Sequence, residues 1–304
     1  MEFTKDVFEK VPAEEKELNK IVRPSVTYWQ DAWRRLKENK PAMAGLFFVI
    51  FITLTAIFGP MLSKYNYFSQ DFMVANQGPT GAHWFGTDQF GRDIFVRILY
   101  GARISLTVGF AASILNITIG VLYGGIAGYF GGKIDNFMMR IVDILYSIPM
   151  MIYVILLMLI LKAGLGSIIM ALAISYWTSM ARIVRAQILS LKQQEFVLAA
   201  KTLGASDMRI LLKHLIPNSM GPIIVTLTLT IPSAIFTESF LSFIGLGVSA
   251  PMASWGTLAS EAMEGYQLYP YQLLFPALAI CLTIFAFQLL GDGLRDALDP
   301  KMRK

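Results

Sequence analysis

Two histidines in 304 residues, His83 and His214, are the first candidates for metal or nucleophilic chemistry, and they lie far apart, on opposite sides of the membrane in the topology derived below. A zinc cage or a catalytic triad needs such side chains to converge, so neither is expected. Cys281 stands alone inside an apolar run, which excludes an intrachain disulfide or a Cys-based metal cage; it reads as inert core. Phosphate chemistry is equally unsupported. Gly132-Lys133 is followed by Ile134 and has no glycine five residues upstream, so the loop that cradles nucleotide phosphates is missing. The remaining polar groups suit gating or passage rather than bond making. Helical spacing puts Thr226, Thr230, Ser233 and Thr237 on roughly one side of an apolar run, with Thr228 on another. These hydroxyls either line a pathway or bond only to their own helix. Glu238 beside them is an intramembrane acid near the outer end, either a functional group or one that reaches water, and Arg140 and Asp143 are spaced to pair on one helical face. No enzyme is expected here, and no cofactor or metal.

The elements that must position these groups follow from composition. With 55% hydrophobic and 15% charged residues, the chain is far more apolar than a soluble domain. The net charge of +5 and pI near 9.2 come from cations flanking apolar runs, which points to membrane topology and away from nucleic acid. No signal peptide is visible in the first forty residues, so the first span is expected to act as its own uncleaved signal.

Residues 1–41 read as a cytoplasmic arm followed by a short helix with Trp29, Trp33 and Leu36 on one face and Pro41 at its end. That helix lies either at the membrane interface or against protein. Residues 42–304 read as an all-α transmembrane domain with six spans: Ala42 to Leu62, Ile104 to Phe130, Ile144 to Leu161, Ala163 to Ala181, Ser219 to Thr237 and Tyr271 to Leu290. Arg34, Arg35, Lys37 and Lys40 precede the first span, which puts the N-terminus inside, and an even count returns the C-terminus there. The first outer loop dissents, with Lys64, Arg92, Arg97 and Arg103, but a loop of this length weighs little in the charge rule. Within it, Gly86, Asp88, Gly91 and Asp93 are turn chemistry and predict a folded outer lip. Glycines along span two predict close helix packing, and Pro149 predicts a kink in span three.

The cytoplasmic interval Glu195 to Asn218 predicts two short helices. The first runs to Leu203, and Gly204 takes the left-handed position that ends it. Ser206 caps the second, Asp207 sits at its positive end, and Ile210, Leu211, Leu212 and Leu215 form its apolar face, with Pro217 after its last turn. Lys201, Arg209 and Lys213 are left exposed.

Ala199-Ala200-x-x-x-Gly204 followed by Ile216-Pro217 resembles the EAA loop of bacterial ABC importer permeases. Leu198 stands where the general pattern has Glu, and His214 where it has Ile. Both departures, with Glu195-Phe196-Val197 ahead of them, resemble the oligopeptide and dipeptide subgroup. Gly86, Thr87, Asp88, Gly91, Arg92 and Asp93 similarly resemble the GTDxxGRD signature of that subgroup, and the tail with Asp292, Arg295, Asp296 and Asp299 resembles its C-terminus. The resemblance implies a type I ABC importer permease forming half of a peptide pathway in a bacterial cell membrane. Glu195, Ala199, Ala200, Gly204, Ser206, Asp207, His214 and Pro217 would then dock an ATPase subunit. It further implies a second homologous permease chain, two ATP-binding subunits that carry ATP and Mg, and an extracytoplasmic peptide-binding protein, in a lipid setting without nucleic acid. Oligopeptides are the expected cargo; dipeptides, glutathione or nickel complexes are the alternatives. An ion-coupled secondary transporter is the rival class. Such proteins usually hold ionisable groups at mid-membrane, and here only Asp143 and Glu238 come close, both near span ends.

Overall fold

The chain folds as a bundle of helices with no strand among the described residues, in a computed structural model that describes residues 27–161, 164–248 and 251–299. The N-terminal arm, the Lys162-Ala163 link and the end of the tail from Pro300 lie outside them. By length and composition, five described helices can cross a membrane, or six if one sharply bent pair counts as a span.

Helix α1 (Tyr28–Glu38) opens with a reciprocal cap in which Thr27 Oγ1 accepts from Gln30 N while Gln30 Oε1 accepts from Thr27 N. One face is protein-facing: Tyr28 Oη donates to Leu298 O at 3.1 Å, and Leu36 packs with Ala42 and Ala297. Trp29 and Trp33 remain exposed on the other. Pro41 does not end α1. The break falls at Asn39, whose side chain caps α2 (Lys40–Leu62), and Pro41 sits in the first turn of α2, where its missing N–H costs nothing. Near the other end, Pro60 cannot donate to the carbonyl four residues back. Arg103 takes over, donating to Ala56 O at 3.2 Å and to Ile57 O at 2.8 Å.

The loop after α2, residues 63–93, is folded, as expected. Gly86 and Gly91 both have positive φ, and a side chain at Gly91 would collide with the Asp71 carbonyl. Asp88 holds Arg92 and Arg97, each at 2.6 Å, and both guanidiniums continue to Glu261 at 2.7 and 2.8 Å. Two of the dissenting outer cations are therefore buried and neutralised by paired acids, and Arg103 is bonded to helix carbonyls. Asp93 caps α3 (Ile94–Phe130) through Val96 N and also binds His83 Nδ1 at 2.8 Å. The helix of span two thus begins ten residues before the expected Ile104. Gly120, Gly124 and Gly128, four apart, form the seam on which α6 (Leu165–Leu191) lies, each within 3 Å of an α6 atom if given a Cβ.

Span three departs most from expectation. It is not one helix from residue 144 to 161 but α4 (Gly132–Ser147) and α5 (Met150–Leu161), bent by 87° at the break containing Pro149. Asp143 also pairs with Arg182 at 2.7 Å rather than with Arg140, because α6 brings a guanidinium alongside. Spans four to six extend beyond their expected limits, to Leu191 in α6, Leu246 past the end of α10 (Met220–Leu241) and Leu298 in α12 (Tyr271–Leu298). Hydropathy marks the part of a helix in lipid, whereas charged turns carry the same helix on past it. Cys281 is exposed on the surface of this chain, so it is not core.

Candidate coupling site and translocation face

Beyond the end of α6, α7 (Glu195–Thr202) is followed by the half-turn of Leu203 and by Gly204 at φ +80°. Ala205 N donates to Ala200 O at 3.1 Å and Gly204 N to Lys201 O at 3.0 Å. This double closure needs a residue of positive φ four positions after Ala200, which is the physical content of the Ala-x-x-x-Gly spacing. Ala200 and Ala205 both pack against the core below, completing the stop.

Ser206 stands at the cap position of α8 (Asp207–Ile210), but its hydroxyl makes no capping bond; only its carbonyl accepts, from Ile210 N at 2.9 Å. Asp207 accepts from Tyr129 Oη at 2.6 Å, which ties the segment to the end of α3. Lys192 Nζ donates to Tyr129 O from the end of α6. Val197, Ile210, Leu211 and Leu215 are buried against Tyr129, Met180, Val184 and Ile188. Leu212 is exposed, contrary to the expected apolar face.

Pro217 does not terminate the second helix. After Ile210 the backbone widens to π geometry over Leu211–Leu215, continues through α9 (Ile216–Asn218), turns at Ser219 and enters α10. A π turn re-routes the ladder where proline lacks its N–H, so the chain stays helical. The second of the two short helices and span five therefore follow one another with only the turn at Ser219 between them. Glu195, Ala199, Gly204, Ser206, Asp207 and Pro217 are exposed, Ala200 and His214 half-buried. Around them stand Leu198, Leu203 and Met208, with Leu203 88% exposed. A protruding apolar set flanked by Lys201 and Arg209 suits protein contact better than water.

On α10, Thr226, Thr230, Ser233 and Thr237 each donate to the carbonyl four residues back, at 2.8, 2.7, 3.2 and 2.9 Å. Thr228 does the same at 2.8 Å, but it is buried and lies beside Gly291 of α12. Ser233 is exposed, Thr226 and Thr230 are half-buried, and Thr237 is buried, held at 2.9 Å by the Tyr176 hydroxyl. Burial separates Thr228 from Thr226, Thr230 and Ser233, but Thr237 is buried as well, and every one of these hydroxyls bonds its own helix.

Glu238 is fully buried in this chain. Ser105 Oγ of α3 and Ser242 Oγ donate to it at 2.7 and 2.8 Å, and Ser239 Oγ at 3.4 Å. Trp255 N, opening α11 (Trp255–Ala262), donates in turn to Ser105 Oγ at 3.4 Å. The acid is thus a knot joining α10, α3 and the outer segment. Sequence reasoning missed both this and the Arg92–Arg97–Glu261 cluster, since their partners are more than a hundred residues apart. Asp135, bound by Arg185 at 2.5 and 2.6 Å, was missed as well, because its partner comes from another helix 50 residues away.

Residues 120–304 match the family model described as "Binding-protein-dependent transport system inner membrane component", and residues 27–79 match that of the "N-terminal TM domain of oligopeptide transport permease C". Among curated proteins, the oligopeptide transport system permease protein OppC of Bacillus subtilis is 53% identical over 99% of this chain and 98% of its own length. The dipeptide transport system permease protein DppC of the same organism is 54% identical over 95% and 91%. The glutathione transport system permease protein GsiD of Escherichia coli is 44% identical over 93% and 94%. Among solved structures, a chain of the MetNI methionine ABC transporter in an inward-facing conformation superposes with a TM-score of 0.57 at 20% identity, covering 68% of this chain and 98% of that one.

Proposed function

The chain belongs to the family of binding-protein-dependent transport system inner membrane components, and from that premise we propose that it forms half of an oligopeptide pathway driven by ATP through residues 195–218. The observation that carries the proposal is the tandem arrangement of the second coupling helix and span five. A displacement of the exposed Leu203 and Met208 surface is passed through consecutive helical segments, with one turn at Ser219, to the segment bearing Thr230 and Ser233. A partner that binds this surface differently in its ATP-bound and ATP-free states biases which side of the pathway is open.

In this reading the chain is not catalytic; ATP and Mg belong to two ATP-binding subunits, a second permease chain completes the pathway, and an extracytoplasmic peptide-binding protein delivers cargo. The protein resides in the cell membrane with both termini in the cytoplasm. Oligopeptide cargo is supported by the near full-length similarity to the oligopeptide permease, and dipeptide cargo is a second reading supported by comparable identity to the dipeptide permease.

Uptake of labelled tri- to pentapeptides, dipeptides and glutathione, measured in cells with and without the gene, tests the proposal. Loss of oligopeptide uptake is expected. Loss of dipeptide or glutathione uptake alone would replace the cargo assignment, and unchanged uptake of all three would reject import of peptides.

A further inference from the structure

At the outer end of α2, a cavity of about 600 Å³ opens between that helix, the folded outer loop and the first turns of α3. Its walls are aromatic and aliphatic, with Leu62, Tyr65, Trp84, Phe95 and Leu99 among them, and Lys64 also lines it. That volume falls within the usual range for a small-ligand site, and the lining is mostly apolar with few polar groups. The proposed function makes no use of it.

Three observations narrow the occupant. First, the cavity borders the end of a helix long and apolar enough to cross a membrane: Leu62 at that end is 84% exposed and Trp84 of the neighbouring loop 64% exposed, an aliphatic and an aromatic of the kind found where hydrocarbon gives way to headgroups. Second, the charge available is cationic. Asp93, which also borders the cavity, has its carboxylate occupied by His83 Nδ1 at 2.8 Å and Val96 N at 2.9 Å, whereas Lys64 is exposed and pairs with no carboxylate among the described residues. Third, the cavity is fixed in shape. Trp84 packs on Phe95 at 5.0 Å, Tyr65 on His83 at 4.6 Å, and Arg103 holds the α2 carbonyls freed by Pro60.

From these we infer that the cavity seats one phospholipid of the outer leaflet, an acyl chain lying against Leu62, Phe95 and Leu99 and the phosphate bound by Lys64. An amphiphile satisfies both halves of the site, since the walls desolvate a hydrocarbon chain and a lysine is a point-charge partner for a phosphate. A peptide would leave its amide groups facing apolar walls, and a free anion would leave the walls empty.

The test is native mass spectrometry of the full-length chain, purified in mild detergent and incubated with dioleoylphosphatidylglycerol. Wild type is expected to retain one lipid. Ala82→Phe, which fills the cavity from its lining, should lower the retained fraction at least five-fold, and Lys64→Gln about three-fold. A Lys64→Arg control should restore it. Equal retention in wild type and Lys64→Gln would overturn the assignment, and because Lys64 is an exposed side chain this arm stands even if Ala82→Phe fails to fold. Inorganic phosphate at millimolar concentration should not displace the lipid; displacement would show a simple anion site and overturn the proposal. Loss of the lipid when the chain is purified within its assembled transporter would assign the cavity to a permease partner and equally overturn it.

Discussion

Gly204 carries the sharpest residue-level consequence, since its φ of +80° is forced by the double carbonyl closure onto Ala200 and Lys201. No atom lies near the position a Cβ would take, so a substitution acts through backbone strain and not through collision. Gly204→Val should cost about 1 kcal/mol or more and misdirect α8. In the assembled transporter, ATP hydrolysis should continue while uptake per ATP falls severalfold; an unchanged ratio would show that the turn does not transmit motion. A neighbouring residue gives a finer test. Tyr129→Phe removes the only hydroxyl bond from α3 to Asp207 among the described residues, and the same ratio should fall by a smaller factor without loss of assembly.

Among the elements, the α3–α6 seam is closely packed, whereas the α10 face is partly open at Thr230 and Ser233. A Cβ on Gly124 would lie 2.2 Å from Ala181 O, backbone that cannot yield, so Gly124→Leu should destabilise the chain by about 1–3 kcal/mol, seen as a lowered melting temperature in detergent. Gly131→Ala, in open space at a helix end, serves as a contrast whose effect comes from its φ of +67° alone. On α10, single cysteines placed at 230 and 233 in a Cys281→Ala background should be labelled by a small water-soluble thiol reagent in an ATP-dependent manner, while cysteine at 228, buried beside Gly291, should not. Equal labelling at all three, or at none, would reject this face as the pathway lining. The exposed position of Cys281 makes its replacement necessary as well as prudent. What was legible in the sequence follows the range of the interaction. The Gly204 stop and the glycine seam are local patterns and were read correctly. Asp143 was matched to Arg140 because a helix shows only its own neighbours, and the true partner, Arg182, arrives from another element. The 87° bend was underestimated because Pro149 signals a break without setting its angle. Pro217 was taken as a stop because the π widening that accommodates it has no signature in residue types.

For the whole molecule, orientation rests on the cations that flank the spans. Arg92 and Arg97 end up paired with Asp88 and Glu261 in the folded chain, and a loop as long as theirs weighs little in the charge rule, so the cations around Arg34, Arg182 and Lys201 set the expected orientation. Reporter fusions should accordingly place the C-terminus inside and residue 80 outside; the reverse would invert every assignment made to the coupling segment. That segment carries the central claim, that residues 195–218 dock an ATP-binding subunit and pass its motion into span five. The most direct measurement is site-specific cross-linking in native membranes of the Cys281→Ala background, with single cysteines at Leu203, Met208 and Ile210. Cysteines at the exposed positions 203 and 208 should cross-link to an ATP-binding subunit with a yield that changes on adding ATP, and cysteine at the buried position 210 should not. No adduct at 203 or 208 in membranes that still import substrate would contradict the account.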